Sequence, residues 1–226
     1  MKVRSITANI QQLTRARFVN AFLVREPDGF TLVDTGLGGA GETIVAIARQ
    51  SGGEIRRILL THGHQDHAGS LDALRKELGA DVEFSMSDVD ARICAGEPVV
   101  EGKRRGSWAS LETTPDVRLV GGERIGSLEV IATPGHTPGH LAFLDTRDRS
   151  LFAGDTFTTY VRTEIPNRAL QPFPLASMGT QDRVEVVESA RLLRALEPNV
   201  LLVGHGPGVR SPGAAIDAAI RRAGGR

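Results

Sequence analysis

Apolar and polar positions along this chain follow two periods, one of strands and one of helices. Asn20-Ala21-Phe22-Leu23-Val24 and Phe30-Thr31-Leu32-Val33 are short apolar runs separated by Glu26-Pro27-Asp28-Gly29. Pro presets one turn torsion and Gly accepts a positive one, so this stretch predicts a β-hairpin. Ile44, Ile47 and Ala48, within residues 42–50, have helical spacing. Residues 55–61 predict a strand around Ile58-Leu59-Leu60. Leu71, Leu74 and Leu78 then form one helical stripe that stops at Gly79. Further on, residues 128–132 predict a strand, and 141–144 with 150–153 a second hairpin. A helix is predicted over 181–196, with Val186, Ala190 and Leu193 on one face. Residues 200–203 predict a short buried strand. Ser211-Pro212 is an N-cap and first-turn pair for a last helix through Arg222. Strands and helices are mixed throughout, which predicts sheets covered by helices. No internal repeat or low-complexity tract is visible.

Composition narrows the function classes. The chain has 226 residues, long enough to bury a substantial core. Its 26 glycines and 11 prolines lie mostly in short turns, so no long linker divides it. We expect a single domain over 1–226. Lys+Arg and Asp+Glu number 27 each, which gives no support to nucleic acid or an acidic membrane surface as partner. Lys103-Arg104-Arg105 is too short to argue otherwise and reads as a solvated loop. Cys94 is the single cysteine, so no intrachain disulfide forms, and it reads as an ordinary half-buried thiol. The N-terminal residues have no apolar signal core, and no apolar run approaches membrane-spanning length. The expectation is a soluble cytoplasmic protein with a small-molecule substrate and an open oligomeric state.

The histidines change the picture. All six fall in three short turns: His62-Gly63-His64-Gln65-Asp66-His67, Pro134-Gly135-His136-Thr137-Pro138-Gly139-His140, and Gly204-His205-Gly206-Pro207. Imidazole and carboxylate are ligands that suit zinc, iron and manganese. Residues two apart in extended backbone point to the same side, so His62 and His64 can share one metal, with His136 as a third ligand. Asp66 and His67 point elsewhere and can hold a second metal, which His205 completes. Asp155 supplies a carboxylate able to bridge the two. Each group follows an apolar run, so neighbouring strands would bring the groups to one sheet rim.

A His-x-His-x-Asp-His stretch after a strand, a Gly-His turn, a Gly-Asp turn and a late Gly-His resemble the metallo-β-lactamase superfamily. The match runs from Val33-Asp34-Thr35-Gly36 to Gly204-His205-Gly206. The resemblance implies a four-layer αββα sandwich. It assigns His62, His64 and His136 to one metal, and Asp66, His67 and His205 to the other, with Asp155 bridging. It implies two divalent ions, zinc first and iron or manganese as alternatives. In the family, Asp34 belongs to a turn that supports the metal loops, and His140 has no ligand role, so we read His140 as packing behind the ligands. The chemistry implied is hydrolysis by a metal-activated hydroxide, with Asp66 orienting it and taking up its proton.

Departures from neighbouring branches narrow the reaction. Position 64 is His, where flavodiiron oxygen reductases use Glu. Asp155 stands where β-lactamases carry Cys or Ser. Glyoxalase II-type thioesterases share the ligand set but continue into a helical part, whereas roughly 21 residues follow His205 here. Acyl-homoserine lactonases place a tyrosine three residues after the bridging Asp, and Thr158 stands there instead. The expected function is a dinuclear hydrolase of a small ester, lactone or thioester. Alternatives are an iron-dependent persulfide dioxygenase and a phosphodiesterase or nuclease. Residues 156–180 read as a substrate lid. It carries Phe157, Tyr160 and Phe173 for an apolar acyl portion, and Arg162 and Arg168 for a carboxylate. Tyr160 reads as an apolar wall or solvent-facing ring in preference to a proton donor. Residues 85–115, with Met86 and Trp108, read as a second wall.

Overall fold

The computed structural model describes residues 1–98, 104–168 and 171–224. Lys103 of the basic stretch and residues 169–170 of the expected lid lie outside them. The chain divides into two compact units, Met1–Pro98 with Ser107–Leu119, and Val120–Arg226 with Val99–Gly106.

The first unit contains β1 (Lys2–Ser5), β2 (Ile10–Arg15), β3 (Val19–Glu26), β4 (Gly29–Val33), α1 (Gly41–Gln50), β5 (Ile55–Leu59), α2 (Gln65–Ala68), α3 (Leu71–Leu78), β6 (Glu83–Ser87), α4 (Asp88–Cys94) and β7 (Val117–Leu119). Its seven strands form one sheet in chain order. The expected hairpin is β3–β4, with Phe22 opposite Val33. From β4 onward the strands are parallel. The ends of β4, β5 and β6 therefore reach one rim, and Asp34, His62 and Asp90 all follow those ends. The stripes of α1 and α3 bury Ile44, Ala48, Leu71 and Leu74 in a core with Leu32, Ile58 and Phe84. Each large side chain buried there stabilises the unit by about 1.5–3 kcal/mol.

The second unit contains β8 (Arg124–Ile125), β9 (Leu128–Ala132), β10 (Leu141–Asp145), β11 (Ser150–Phe152), α5 (Pro174–Gly179), α6 (Glu185–Ala195), β12 (Val200–Leu202), β13 (Val209–Arg210) and α7 (Gly213–Arg222). The sheet order is β13-β12-β11-β10-β9-β8. Strands β9 and β11 both pair antiparallel with β10, and β12 runs parallel to β11. So β9, β11 and β12 point the same way, and His136, Asp155 and His205 follow their ends. Phe152 lies opposite Leu202, and the pairing continues through Gly204 N–H to the Gly154 carbonyl at 3.0 Å. Asp155 and His205, three residues beyond that pair, are thereby set in register. Val186, Ala190 and Leu193 of α6 pack as expected with Ile216 of α7.

Two helix starts differ from the sequence reading. Helix α6 begins at Glu185, because the Asp182 carboxylate accepts from the N–H groups of Val184 and Glu185 at 2.8 and 2.9 Å. Residues 181 and 182 instead donate their N–H groups to the carbonyls of His136 and Gly135. Ser211 does not cap α7: its φ is 49° and its N–H is held by the Asn199 carbonyl, so Pro212 opens the helix. Among the described residues no helix is long and apolar enough to cross a membrane.

Gly135 ties the His136 turn to α6. Its φ is +127°, and a Cβ there would stand 2.2 Å from the Val186 nitrogen, a backbone atom that cannot swing aside. We expect Gly135→Ala to cost about 3 kcal/mol. Gly52→Ala, at φ +79° with open space around it, should cost about 1 kcal/mol. Urea denaturation of the two variants checks the difference. Equal losses would show that the turn yields freely.

Candidate metal centre

In the first unit β5 ends before Leu60, and Thr61 turns its N–H to the Asp34 carboxylate at 2.8 Å. Asp34 itself has φ 59°, the left-handed conformation that Asp tolerates better than most residues. Its carboxylate is buried and also meets the Thr61 hydroxyl at 2.9 and 3.0 Å and His67 Nδ1 at 2.8 Å. A carboxylate only accepts, so the Thr61 proton goes to Asp34 and His67 Nδ1 carries a hydrogen. The Thr61 oxygen, 3.0 Å from His62 Nδ1, then accepts from that ring. Both imidazoles are fixed in the tautomer whose Nε2 bears a lone pair, the form that ligates metal.

His64 is extended, with φ −70° and ψ 150°, and opens the single turn α2 that carries Asp66 and His67. Ligand atoms of His62 and His64, of His62 and His67, and of Asp66 and His67 lie within 4.8 Å of one another. The His64 ring stands edge-on to Trp108 at 5.0 Å, so Trp108 of the expected second wall does flank a histidine. Met86 does not: it is fully buried in the core. Gly63 is hemmed in by Cys94 and Trp108, and its N–H donates to buried Asp90 at 2.9 Å. Sequence reasoning missed Asp90. Its N–H donates to the Ser87 hydroxyl at 3.1 Å, the cap that places it in the first turn of α4.

In the second unit one carboxylate oxygen, Asp155 Oδ2, stands 3.5 Å from His136 Nε2 and 3.1 Å from His205 Nε2. His136 Nδ1 contacts the Thr180 hydroxyl at 3.0 Å, and that hydroxyl donates to the Ala176 carbonyl. It therefore accepts from His136 Nδ1–H, which leaves the Nε2 lone pair facing Asp155. Two lone pairs this close need a cation between them, a proton or a metal. Thr180 was another residue the sequence did not reveal. His140 behaves as expected. Its Nε2 accepts from the Asp155 N–H at 3.0 Å and its Nδ1 donates to Thr133 at 2.8 Å, so both nitrogens are used behind the ligands.

The expected lid has more structure than its composition suggested. Thr158 and Glu164 exchange backbone hydrogen bonds, and α5 closes the segment. Phe157 is not a wall: it is fully buried in the core beside Ile165. Phe173 covers His205 at 4.6 Å between ring centroids, with half-exposed Tyr160 beyond it at 5.5 Å. The Arg162 guanidinium is paired with Glu164. Arg168 is exposed.

Histidine and aspartate clusters at the ends of parallel strands define an α/β metal-binding protein. The family model of the Metallo-beta-lactamase superfamily matches residues 14–205, and the chain belongs to that superfamily. It is a metal-dependent hydrolase. The uncharacterized protein YobT of Bacillus subtilis (strain 168) is 37% identical over 91% of this chain and 90% of its own length. The hydroxyacylglutathione hydrolase of Rhodopseudomonas palustris (strain BisB5) is 29% identical over 60% of this chain and 46% of its own. A solved structure in a di-iron-bound form matches with a TM-score of 0.67 and 26% identity, over 89% of this chain and 94% of that one.

Asp34→Asn tests the orienting network. Loss of the carboxylate charge behind His67 should weaken metal binding by about 10–100-fold while the fold persists. Competition with a chelating dye measures it. Wild-type affinity in the variant would show that Asp34 has no bearing on ligation.

Proposed function

We propose that the chain is a dinuclear hydrolase of a small ester, lactone or thioester. One observation carries this reading: Asp155 Oδ2 lies between the Nε2 atoms of His136 and His205, and the His136 tautomer presents a lone pair to it. A carboxylate oxygen with an imidazole on each side suits a ligand shared by two cations. In this reading His62, His64 and His136 hold one cation, Asp66, His67 and His205 the other, and Asp155 both. Divalent cations bound there supply Lewis acidity for water activation and carbonyl polarisation. The cations are zinc in our reading. Iron is the alternative that the di-iron form of a similar structure supports.

The protein's own groups do the rest. Asp66, half-buried at the start of α2, orients the attacking water and accepts its proton. Asp34 and Thr61 hold His67 and His62 against rotation, so their ligating atoms are set before substrate arrives. Phe173 covers one face of His205 and keeps bulk water from it. The thioester branch draws support from the hydroxyacylglutathione hydrolase relatives.

Elemental analysis of wild type should give two metals per chain, and Asp155→Ala should lower occupancy of both. One tightly held metal, unchanged by that substitution, would remove the bridge. In the fully loaded protein, Asp66→Asn should lower kcat by about 10²-fold or more with thioester or lactone substrates, and β-lactams should be very weak substrates. Full kcat in the loaded Asp66→Asn variant would exclude Asp66 from the chemistry.

A further inference from the structure

Helix α5 is inside out. A surface helix buries its large apolar side chains and exposes polar ones. In α5 the small residues Ala176, Ser177 and Gly179 are buried, while Leu175 and Met178 are 56% and 63% exposed. Nor is the exposure scattered. Five of the nine exposed large apolar side chains among the described residues fall between Tyr160 and Val184. Isolated exposed apolar residues need no explanation, whereas a concentration of them does.

The helix is also strung between two of the candidate ligands. At its N-terminal end Phe173 lies over the His205 ring at 4.6 Å and continues to Tyr160 at 5.5 Å. At its C-terminal end Thr180 holds His136 Nδ1 at 3.0 Å. Leu175 and Met178, three apart, share one face of the turn between those anchors. The buried Phe173 ring covers the His205 imidazole, and the exposed apolar side chains of Tyr160, Leu175 and Met178 lie on the segments that flank it. No charged side chain occurs from Phe173 to Thr180.

We infer that this face of α5, with Tyr160 and the rim of Phe173, is the subsite for an apolar acyl chain of the substrate. The inference rests on the hydrolase reading above and adds what that reading leaves open, the chemistry of the acyl group. The chain's carbonyl end lies toward His205 and its tail along Leu175 and Met178. A fully buried methylene is worth about fourfold in affinity, and one laid against an open face, losing roughly half its contact with water, about twofold.

The test uses metal-loaded protein and separates binding from turnover. Calorimetric titration with acetate, butanoate, hexanoate and octanoate should show affinity rising about twofold per methylene. The Leu175→Ser/Met178→Ser double variant alters only exposed side chains. It should keep its metals, its melting temperature and its acetate affinity, while the affinity no longer rises with chain length. The kcat/KM of acyl thioesters of the same lengths should follow the same slopes. A flat series in wild type would overturn the proposal, and so would a steep slope that survives in the double variant. A dimer that dissociates in the double variant would assign the face to a second copy. Cosedimentation with phosphatidylcholine vesicles, lost in the variant, would assign it to a bilayer. Either result overturns the subsite. Alkanoate binding with the expected slope but no turnover of any ester, thioester or lactone would sink the hydrolase reading alone. Turnover with a flat slope would sink the subsite alone.

Discussion

The Asp34 carboxylate is the constraint on which the first cluster depends. It is almost wholly withdrawn from water, and a buried charge is tolerated only when its hydrogen bonds are complete. Three donors complete them: the Thr61 N–H, the Thr61 hydroxyl and His67 Nδ1–H. Each has a consequence for the site. The first ends β5 and turns the chain toward His62. The second commits the Thr61 proton, so its oxygen accepts from His62. The third sets the His67 tautomer. A single buried charge thus fixes where the strand stops and which nitrogen two imidazoles present.

The second cluster reaches a comparable order by sheet register. Strands β11 and β12 are parallel and paired through Gly154 and Gly204, so Asp155 and His205 emerge side by side. His136 comes from β9, two strands from β11 across β10, and its turn closes onto the segment before α6 through the carbonyls of Gly135 and His136. That contact explains why residue 135 is glycine: the Val186 backbone occupies the space a side chain would need. The His140 ring closes the arrangement from behind, by accepting the Asp155 N–H. The placement of these three side chains thus rests first on backbone hydrogen bonds, with Thr180 and His140 orienting them.

Local signals made much of this legible in the sequence. Strand β9 occupies the predicted residues, and both hairpins follow from their apolar runs and turn residues. The candidate cluster stood out in the sequence because few residue types bind metal, and here they crowd three turns. What was not legible depends on partners far along the chain. Asp90 acts on Gly63, 27 residues earlier, and Thr180 acts on His136, 44 residues earlier. No local pattern encodes either. The start of α6 was misplaced because Asp182 competes for the backbone before the helix begins. Ser211 was misread as a cap because its N–H is taken by Asn199 across the β12–β13 pair. Helix α5 escaped notice because its sequence lacks a buried apolar stripe.

The segment after Asp155 shows why composition alone misjudges a loop. Its prolines and aromatics suggested a free-standing lid, yet it is anchored from below at several points. Phe157 and Ile165 are sunk in the core of the second unit. Glu164 is buried, and a buried carboxylate must be paired. Arg222 at the end of α7 meets it at 3.1 Å and also donates to the Thr163 carbonyl at 2.6 Å, while Arg162 pairs from the loop itself. Asn167 adds a bond to the Ala223 carbonyl at 3.0 Å. Thr159 donates its N–H to the His205 carbonyl and its hydroxyl to Pro207. These ties hold the loop to α7 and to the His205 turn. Residues 156–168 are therefore part of the packed body of the second unit, held by its core and by α7. Tyr160, Leu175 and Met178, by contrast, hold their side chains out of that packing.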